Sequence, residues 1–310
     1  MSPEIKPVLS VIVTIVGGTT FLHRCLSRLI PQIEGRTIEV IVPYDSTAPQ
    51  IGDLKSVYPQ VRFIDMGVVK TDGRPGTQQA AHEMFDRRTA AGLNAARADI
   101  LALLQDYGAP DADWCDQILE AHRLPHEVIG GAVELEGKGS LNWAVYFLDF
   151  GRFQLPLNEG PRKYLTDVNV SYKRAALESV RELWADRYKE VTVNWALASK
   201  GMSLWQRPQM VVRQDRGQLS FRHLINERYS WGRLFGCIRT REISMPARLL
   251  YIVLSPAIPL ILLGRSARKV FVGGRHRGAF ILAFPHLVAM TFFWCMGEFV
   301  GYLTGRESSA

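Results

Sequence analysis

Three observations predict an α/β fold with a mostly parallel, doubly wound sheet. Short apolar runs alternate with amphipathic stretches at the spacing of strand–helix–strand units. The runs are too short for helices and rich in Val, Ile and Leu, as strands covered on both faces are. Each ends abruptly in turn-forming residues, and the fourth ends on an acid, Asp106. Two longer apolar stretches near the C-terminus predict membrane-associated helices appended to this core.

Leu9 to Val16 (LSVIVTIV) reads as the first buried strand, broken by Gly17-Gly18-Thr19-Thr20. Phe21 to Ile30 follows as a helix with Leu22, Cys25, Leu26 and Leu29 on one face. Ile38 to Val42 is the second strand and runs into Pro43-Tyr44-Asp45-Ser46-Thr47. Val61 to Ile64 is a third, and Asp72-Gly73-Arg74-Pro75-Gly76 is a loop. Residues 77–97 form a long helix carrying Arg87 and Arg88. Ile100 to Leu104 is the fourth strand, stopped by Gln105-Asp106-Tyr107-Gly108 and Pro110, with Asp113 placed to cap a helix near Trp114. Val128 to Glu134 is a further strand, and residues 142–150 (NWAVYFLDF) are an aromatic-rich segment.

Parallel strands put their carboxyl ends on one edge, where open α/β sheets bind ligands. That edge collects Gly17, Asp45 and Asp106. A nucleotide lying across it would meet Asp45 at the base or ribose and Arg88 at a phosphate. Asp106 would hold a divalent cation on the diphosphate. The alternatives are that Asp106 only caps a turn and that Arg88 solvates an exposed helix face.

Composition narrows the class. The chain has 310 residues, 47% of them hydrophobic, with a formal charge of +7. Its four cysteines are scattered, with no CxxC and no Cys/His cluster, so neither a zinc site nor a disulfide framework is indicated. Met1 to Pro7 is polar, so no signal peptide is expected. Between Arg213 and Arg277 stand 13 Lys/Arg against 3 Asp/Glu. These charges flank apolar segments and are not interleaved with stacking aromatics. A surface of anionic lipids is therefore the expected partner, and nucleic acid is not.

The pattern resembles the family-2 glycosyltransferases of the GT-A fold through the N-terminal two-thirds of the chain. LSVIVTIVGG resembles the family's opening strand, and EVIVPYDST its second strand with the nucleotide-binding acid. RRTAAGLNAARADILALLQDYGAPDADW resembles the helix, strand and metal motif in the family's order. The usual Asp-x-Asp is Gln105-Asp106-Tyr107 here, so only the middle carboxylate is left. The resemblance implies a nucleotide-sugar donor and a divalent cation, Mg or Mn, on Asp106. Thr166 to Arg174 is similar to a family stretch, Asn-x-x-x-(Lys/Arg)-Arg, and implies that Asp167 and Asn169 contact the donor. Their alternation with Val168 and Val170 puts both on one strand face, where satisfying backbone groups is the alternative. Matching backwards from Gly201, the family's general base falls on Glu190. The alternative there is that Glu190 only favours a helix N-terminus. Asn226 to Arg233 resembles a basic-aromatic segment that closes over the diphosphate, with Arg228 and Trp231 sharing a helix face.

Leu249 to Gly264 is 16 uncharged residues with two prolines, Pro256 and Pro259. As a helix it spans about 24 Å, short of the ~30 Å hydrocarbon core. Ala279 to Leu303 is 25 residues carrying Glu298 and His286, long enough to cross. The linker between them, Arg265 to Arg277, holds five Lys/Arg in 13 residues, which the positive-inside rule puts in the cytoplasm. The first segment is therefore expected to re-enter or lie in the interface, and only the second to cross.

The expected organisation is a GT-A domain over 1–220 and a basic juxtamembrane segment over 221–248. Two membrane segments over 249–305 and a tail over 306–310 follow. The expected function is that of a membrane-anchored inverting glycosyltransferase of the cell envelope, its catalytic domain on the cytoplasmic face. It would act on a lipid-linked or membrane-proximal acceptor. A catalytically silent relative, binding a nucleotide sugar or serving as a membrane assembly partner, is the alternative. A nucleotidyltransferase is disfavoured because no glycine-rich, Arg/Lys-bearing phosphate loop follows the first strand.

Overall fold

A computed structural model of the chain describes residues 6–240 and 243–305. The expected tail over 306–310 lies outside the described residues. The chain divides into two compact units, one of residues 6–134 and 153–214, the other of residues 135–152 and 215–305.

The first unit carries the sheet. In chain order its elements are β1 (Leu9–Thr14), α1 (Thr19–Leu29), β2 (Ile38–Tyr44), α2 (Leu54–Val57) and β3 (Val61–Asp65). Next come α3 (Gln78–Ala95), β4 (Ile100–Gln105), β5 (Gly108–Pro110), α4 (Trp114–Ala121) and β6 (Val128–Leu135). The short helix α5 (Ser140–Asp149) belongs to the second unit. The first unit resumes with β7 (Gly160–Pro161), β8 (Asn169–Lys173), α6 (Arg174–Glu178), α7 (Glu190–Ser199) and β9 (Leu204–Gln214). Strand order is β3-β2-β1-β4-β8-β6-β9-β5, with β7 paired to β9. β1 pairs parallel with β2 and β4, and β2 with β3. β8 runs antiparallel to β4, with Leu104 opposite Asn169.

β1 is buried at every position, its apolar residues packed on both faces and its Ser10 and Thr14 hydroxyls bonded to Glu39 and Thr89. α1 buries Leu22, Cys25, Leu26 and Leu29, the face read from its periodicity. α3 starts on Thr77, whose side chain accepts from Ala80 N at 3.2 Å. It lies close on the sheet because Gly92 has no side chain. A Cβ there would sit 2.4 Å from Ile12 Cγ2. Asp113 does precede α4, but its side chain accepts from Gln117 Nε2 and caps no backbone N–H.

The second unit is helical, with α5, α8 (Phe221–Thr240), α9 (Met245–Leu254), α10 (Ile258–Gly273) and α11 (Arg277–Thr304). α8 and α11 cross at four glycines. Gly232 and Gly236 face α11, and Gly297 and Gly301 face α8. A Cβ at Gly232 would lie 2.0 Å from Trp294 O, and one at Gly297 would lie 2.0 Å from Tyr229 O. Each helix thus carries a small-xxx-small pair of the kind that lets helix backbones touch in a membrane. Arg248 donates to Tyr302 O at 2.6 Å and Leu303 O at 3.0 Å, meeting carbonyls that the end of α11 leaves unpaired.

Two helical segments are long and apolar enough to cross a membrane, Met245–Gly273 and Arg277–Thr304. The first corrects an expectation. Residues 249–264 were expected to be short, with a linker from Arg265 onward. The helix instead continues through Arg265, Arg268 and Lys269 to Gly273, after one 3-10 turn over Ser255–Ala257. Arg and Lys are good helix formers whose apolar stems lie along the helix while their charges reach water. The chain breaks only at Gly274 and His276, both with positive φ.

Candidate active site at the strand ends

The turn after β1 points three successive backbone N–H groups at one carboxylate. Asp106 Oδ1 accepts from Val16 N at 3.0 Å and Gly17 N at 3.1 Å. Its Oδ2 accepts from Gly17 N and Gly18 N, both at 2.9 Å. Asp106 is fully buried. Burial pushes its carboxyl up to about 6, against the pull of the Gly17, Gly18 and Val16 N–H groups. Gly17 is required sterically. A Cβ would meet the Tyr107 ring at 2.3 Å and the Phe21 ring at 2.5 Å, which themselves pack edge to face.

Both Asp106 oxygens are committed to backbone donors, and its neighbours are the neutral Gln105 and Tyr107. Among the described residues no group of three His, Cys, Asp or Glu is placed to hold a metal. The side chain ties the end of β4 to the β1–α1 turn. Asp106→Asn puts an NH₂ against backbone N–H groups and leaves at least one donor unmatched. That costs about 1–3 kcal/mol per buried donor. The expected result is a lower melting temperature for the unliganded protein, the same with and without EDTA. A variant that melts like wild type yet loses Mn²⁺-dependent donor binding would return Asp106 to the metal.

Asp45 stands just past β2 and is fully buried. Its Oδ1 accepts from Thr47 N at 2.8 Å and Thr47 Oγ1 at 2.7 Å, and its Oδ2 from Arg88 Nε at 2.6 Å. Arg88 also donates to Ile15 O at 2.8 Å and Thr47 Oγ1 at 2.9 Å. One guanidinium thus joins the ends of β1 and β2 from α3. Burial works to raise the Asp45 carboxyl, but its bonds to Arg88 and Thr47 outweigh it and hold the group below the usual range. Arg88 is buried, so it does not solvate an exposed face. Removing one partner from such a buried pair costs about 3–5 kcal/mol.

Asp167 and Asn169 separate. β8 begins only at Asn169, so the expected alternation of both on one strand face does not hold. Asn169 turns into the core, donates to Ala132 O and Met210 O at 2.8 Å, and accepts from Trp114 Nε1 at 2.8 Å. Both of its amide hydrogens are engaged by backbone carbonyls, as the alternative reading of this residue has it. Asp167 lies in the turn before β8, 3.5 Å from Gln105 Nε2 across the sheet edge. Burial pushes its carboxyl up.

Glu190 opens α7, behind Lys189. Beneath it the Tyr188 and Tyr172 hydroxyls meet at 2.6 Å, and Tyr172 donates to Asn194 Oδ1 at 2.9 Å. Burial raises both phenols, with the charges of Glu190 and Asp167 adding to it. A third acid was missed from sequence. Asp86 on α3 is buried, and its backbone carbonyl accepts from Tyr188 N at 3.1 Å. Burial pushes it up to about 7; Lys189 opposes this and Asp167 adds to it. Its signal was a carboxylate on the helix face that also carries Ala90 and Leu93.

Arg228 and Trp231 belong to the second unit. Arg228 is buried and donates both terminal nitrogens to Asp149, at 2.7 and 2.8 Å. Its fork is engaged by Asp149 within that unit. Trp231 is half-buried on the same helix.

No family model matches the chain, and no curated protein matches it. Solved structures do. The mannosyltransferase PcManGT from Pyrobaculum calidifontis, in complex with GDP-Man and Mn²⁺, aligns with a TM-score of 0.54 at 12% identity. It covers 95% of this chain and 87% of that one. A mycobacterial protein aligns with a TM-score of 0.40 at 15% identity, over 68% of this chain and 66% of that one. The first likeness shows the fold: a mixed, parallel-dominated sheet of the GT-A glycosyltransferase type, as the sequence predicts, with two apolar C-terminal helices.

Proposed function

We propose that the chain is a membrane-anchored inverting glycosyltransferase that takes a sugar from a nucleotide diphosphate to a lipid-linked or membrane-proximal acceptor. The observation that carries this reading is the set of acids and the Gly17 turn at the carboxyl edge of the parallel strands, on a fold shared with a mannosyltransferase. Asp45 and Arg88 form the floor under the nucleoside, and Gly17 lets backbone approach the donor. Asp167 contacts the donor sugar. The acceptor oxygen attacks the anomeric carbon opposite the leaving group and gives its proton to Glu190. The anomeric C–O bond breaks, and its electron pair leaves with the nucleoside diphosphate. The catalytic unit faces the cytoplasm: Met245–Gly273 re-enters or lies in the interface without crossing, and the basic run Arg265 to Arg277 stays on the same side as the catalytic unit. A silent relative is the second reading, favoured by Gln105 and Tyr107 in place of acids beside an Asp106 already engaged.

One experiment separates these. Membrane vesicles from cells expressing the chain are given a panel of labelled nucleotide sugars, led by GDP-mannose. Everted vesicles are expected to transfer label, and sealed right-side-out vesicles are not. Transfer by right-side-out vesicles would reverse the orientation. No transfer from either, with donor binding by calorimetry, would favour the silent relative. Neither binding nor transfer would overturn both.

A further inference from the structure

A buried carboxylate on α3 joins parts of the first unit that are far apart in sequence. Glu83 is 6% exposed, and acids are rarely buried to that degree unless paired. Its Oε1 accepts from Arg87 Nε at 3.1 Å and pairs with Arg187 Nη2 at 3.0 Å. Its Oε2 accepts from Asp72 N at 2.8 Å. Arg187 Nη2 also reaches Asp72 Oδ2 at 2.9 Å, and Arg87 Nη1 donates to Asp186 Oδ1 at 2.9 Å. Glu83 and the two arginines thus tie together the β3–α3 loop, α3 itself and the run of chain into α7.

Each arm of this network ends beside a group of the proposed site. The β3–α3 loop starts against the end of β2, where Met66 N donates to Tyr44 O at 2.8 Å and Ser46 N to Gly67 O at 2.9 Å. Asp45 stands between those two contacts. Further along, Gly73 packs on the first turn of α3, where a Cβ would lie 2.6 Å from Ala80 N. The other arm holds the residues before Glu190. Arg187 pairs with Glu83, and Tyr188 N donates to Asp86 O at 3.1 Å. Glu83 and Asp86 are three apart, so both contacts fall on one face of α3. The Tyr188 hydroxyl meets that of Tyr172 at 2.6 Å. The chain therefore arrives at Glu190 with its direction set by α3. The outer partners Asp72 and Asp186 are 72% and 75% exposed, so their pairs add little to stability. What they fix is geometry.

We propose that Glu83 is a positioning residue for glycosyl transfer, linking the donor-side loop through Arg187 to the chain that presents Glu190. Glu83 has this role only if the transfer reading holds. A misplacement of about 1 Å far from the chemistry costs about 10²-fold in rate. The link therefore acts on turnover and not on donor affinity.

The test uses the full chain in membrane vesicles, with the nucleotide sugar that the wild type turns over in the panel led by GDP-mannose. Glu83→Gln keeps the shape of the side chain and removes its charge. It is expected to lower kcat about 10²-fold and to leave the donor KM within about twofold. In a Glu190→Gln background the same change is expected to cost less than about twofold more, because an effect exerted through the base vanishes with it. Arg187→Gln is expected to match Glu83→Gln, and Arg187→Lys, which keeps the charge, to recover part of the rate. Hydrogen exchange on the purified chain without donor gives a second reading. Amides of residues 186–191 are expected to exchange faster in Glu83→Gln, and those of β1 as in wild type. An active wild type whose Glu83→Gln variant turns over equally fast would overturn the proposal. A loss in Glu83→Gln that adds in full to that of Glu190→Gln would do the same, and so would unchanged exchange over residues 186–191. If Glu83→Gln fails to fold, seen as fast exchange in β1, an Arg187→Gln chain with the wild-type rate would still overturn it. A wild type that transfers no sugar would instead sink the transfer reading, and this role for Glu83 with it.

Discussion

Glu190→Gln is expected to lower glycosyl transfer by about 10²–10⁴-fold, the usual worth of a positioned general base, with donor affinity nearly unchanged. The substitution keeps the size and hydrogen-bonding reach of the side chain and removes only its ability to take a proton. Glu190 stands at the first position of α7, and the chain on either side is held by Tyr188 N donating to Asp86 O and by Val193 N donating to Lys189 O. If Glu190 serves the helix alone, the outcome differs in kind. Losing a charge at a helix N-terminus costs about 0.3–1 kcal/mol of stability and no rate. Single-turnover kinetics beside a melting curve separates the two. A variant keeping more than about a tenth of the rate would move the base to Asp167, the next carboxylate at this edge.

Gly297→Leu is expected to abolish the folded second unit. A Cβ at this position already overlaps Tyr229 O at 2.0 Å and Arg233 N at 2.8 Å, both backbone atoms that cannot rotate away. Ordinary overpacking costs about 1–3 kcal/mol, and here the only relief is to drive two helices apart. That would also dismantle the Arg248 contacts to Tyr302 and Leu303. Gly264→Leu is the matched control, because a Cβ at Gly264 meets nothing within 4 Å. Size-exclusion profiles in detergent and limited proteolysis should show Gly297→Leu aggregated or cut within residues 215–305, and Gly264→Leu intact. Equal behaviour of the two would mean that α8 and α11 do not cross at these glycines.

The sheet was legible because burial on both faces leaves unbroken apolar runs, as in β1, β2 and β4. The apolar face of α1 was legible from its 3.6-residue period. Asp106 was legible as a position at the strand end, but its hydrogen-bond partners were not. Its donors come from Val16, Gly17 and Gly18, some ninety residues earlier, and no local pattern says that three N–H groups converge there. The same holds for Asn169, whose partners Ala132, Met210 and Trp114 are brought to it only by the folded sheet. Asp86 was overlooked because a lone acid among helix arginines reads as surface. The extension of α10 past Gly264 was hidden by giving charge more weight than helix propensity at Arg265, Arg268 and Lys269. The glycine crossing was available in GRLFG and GEFVG, whose four-residue spacing is the signal for close helix approach.

The second unit is discontinuous in the chain, and that sets a timetable for its birth. α5 is made early, yet Phe147 packs against Phe280 of α11, with ring centres 5.2 Å apart, and Trp143 against His276. Translation proceeds at about 5–20 residues per second, so α5 waits roughly 8–30 s for α11. During that interval residues 153–214 are made and the sheet can close around a loop whose aromatic face has no cover. A ribosome-bound chain is therefore most in need of a holding factor, or of the bilayer itself, in the window between the end of β9 and the emergence of its last helix.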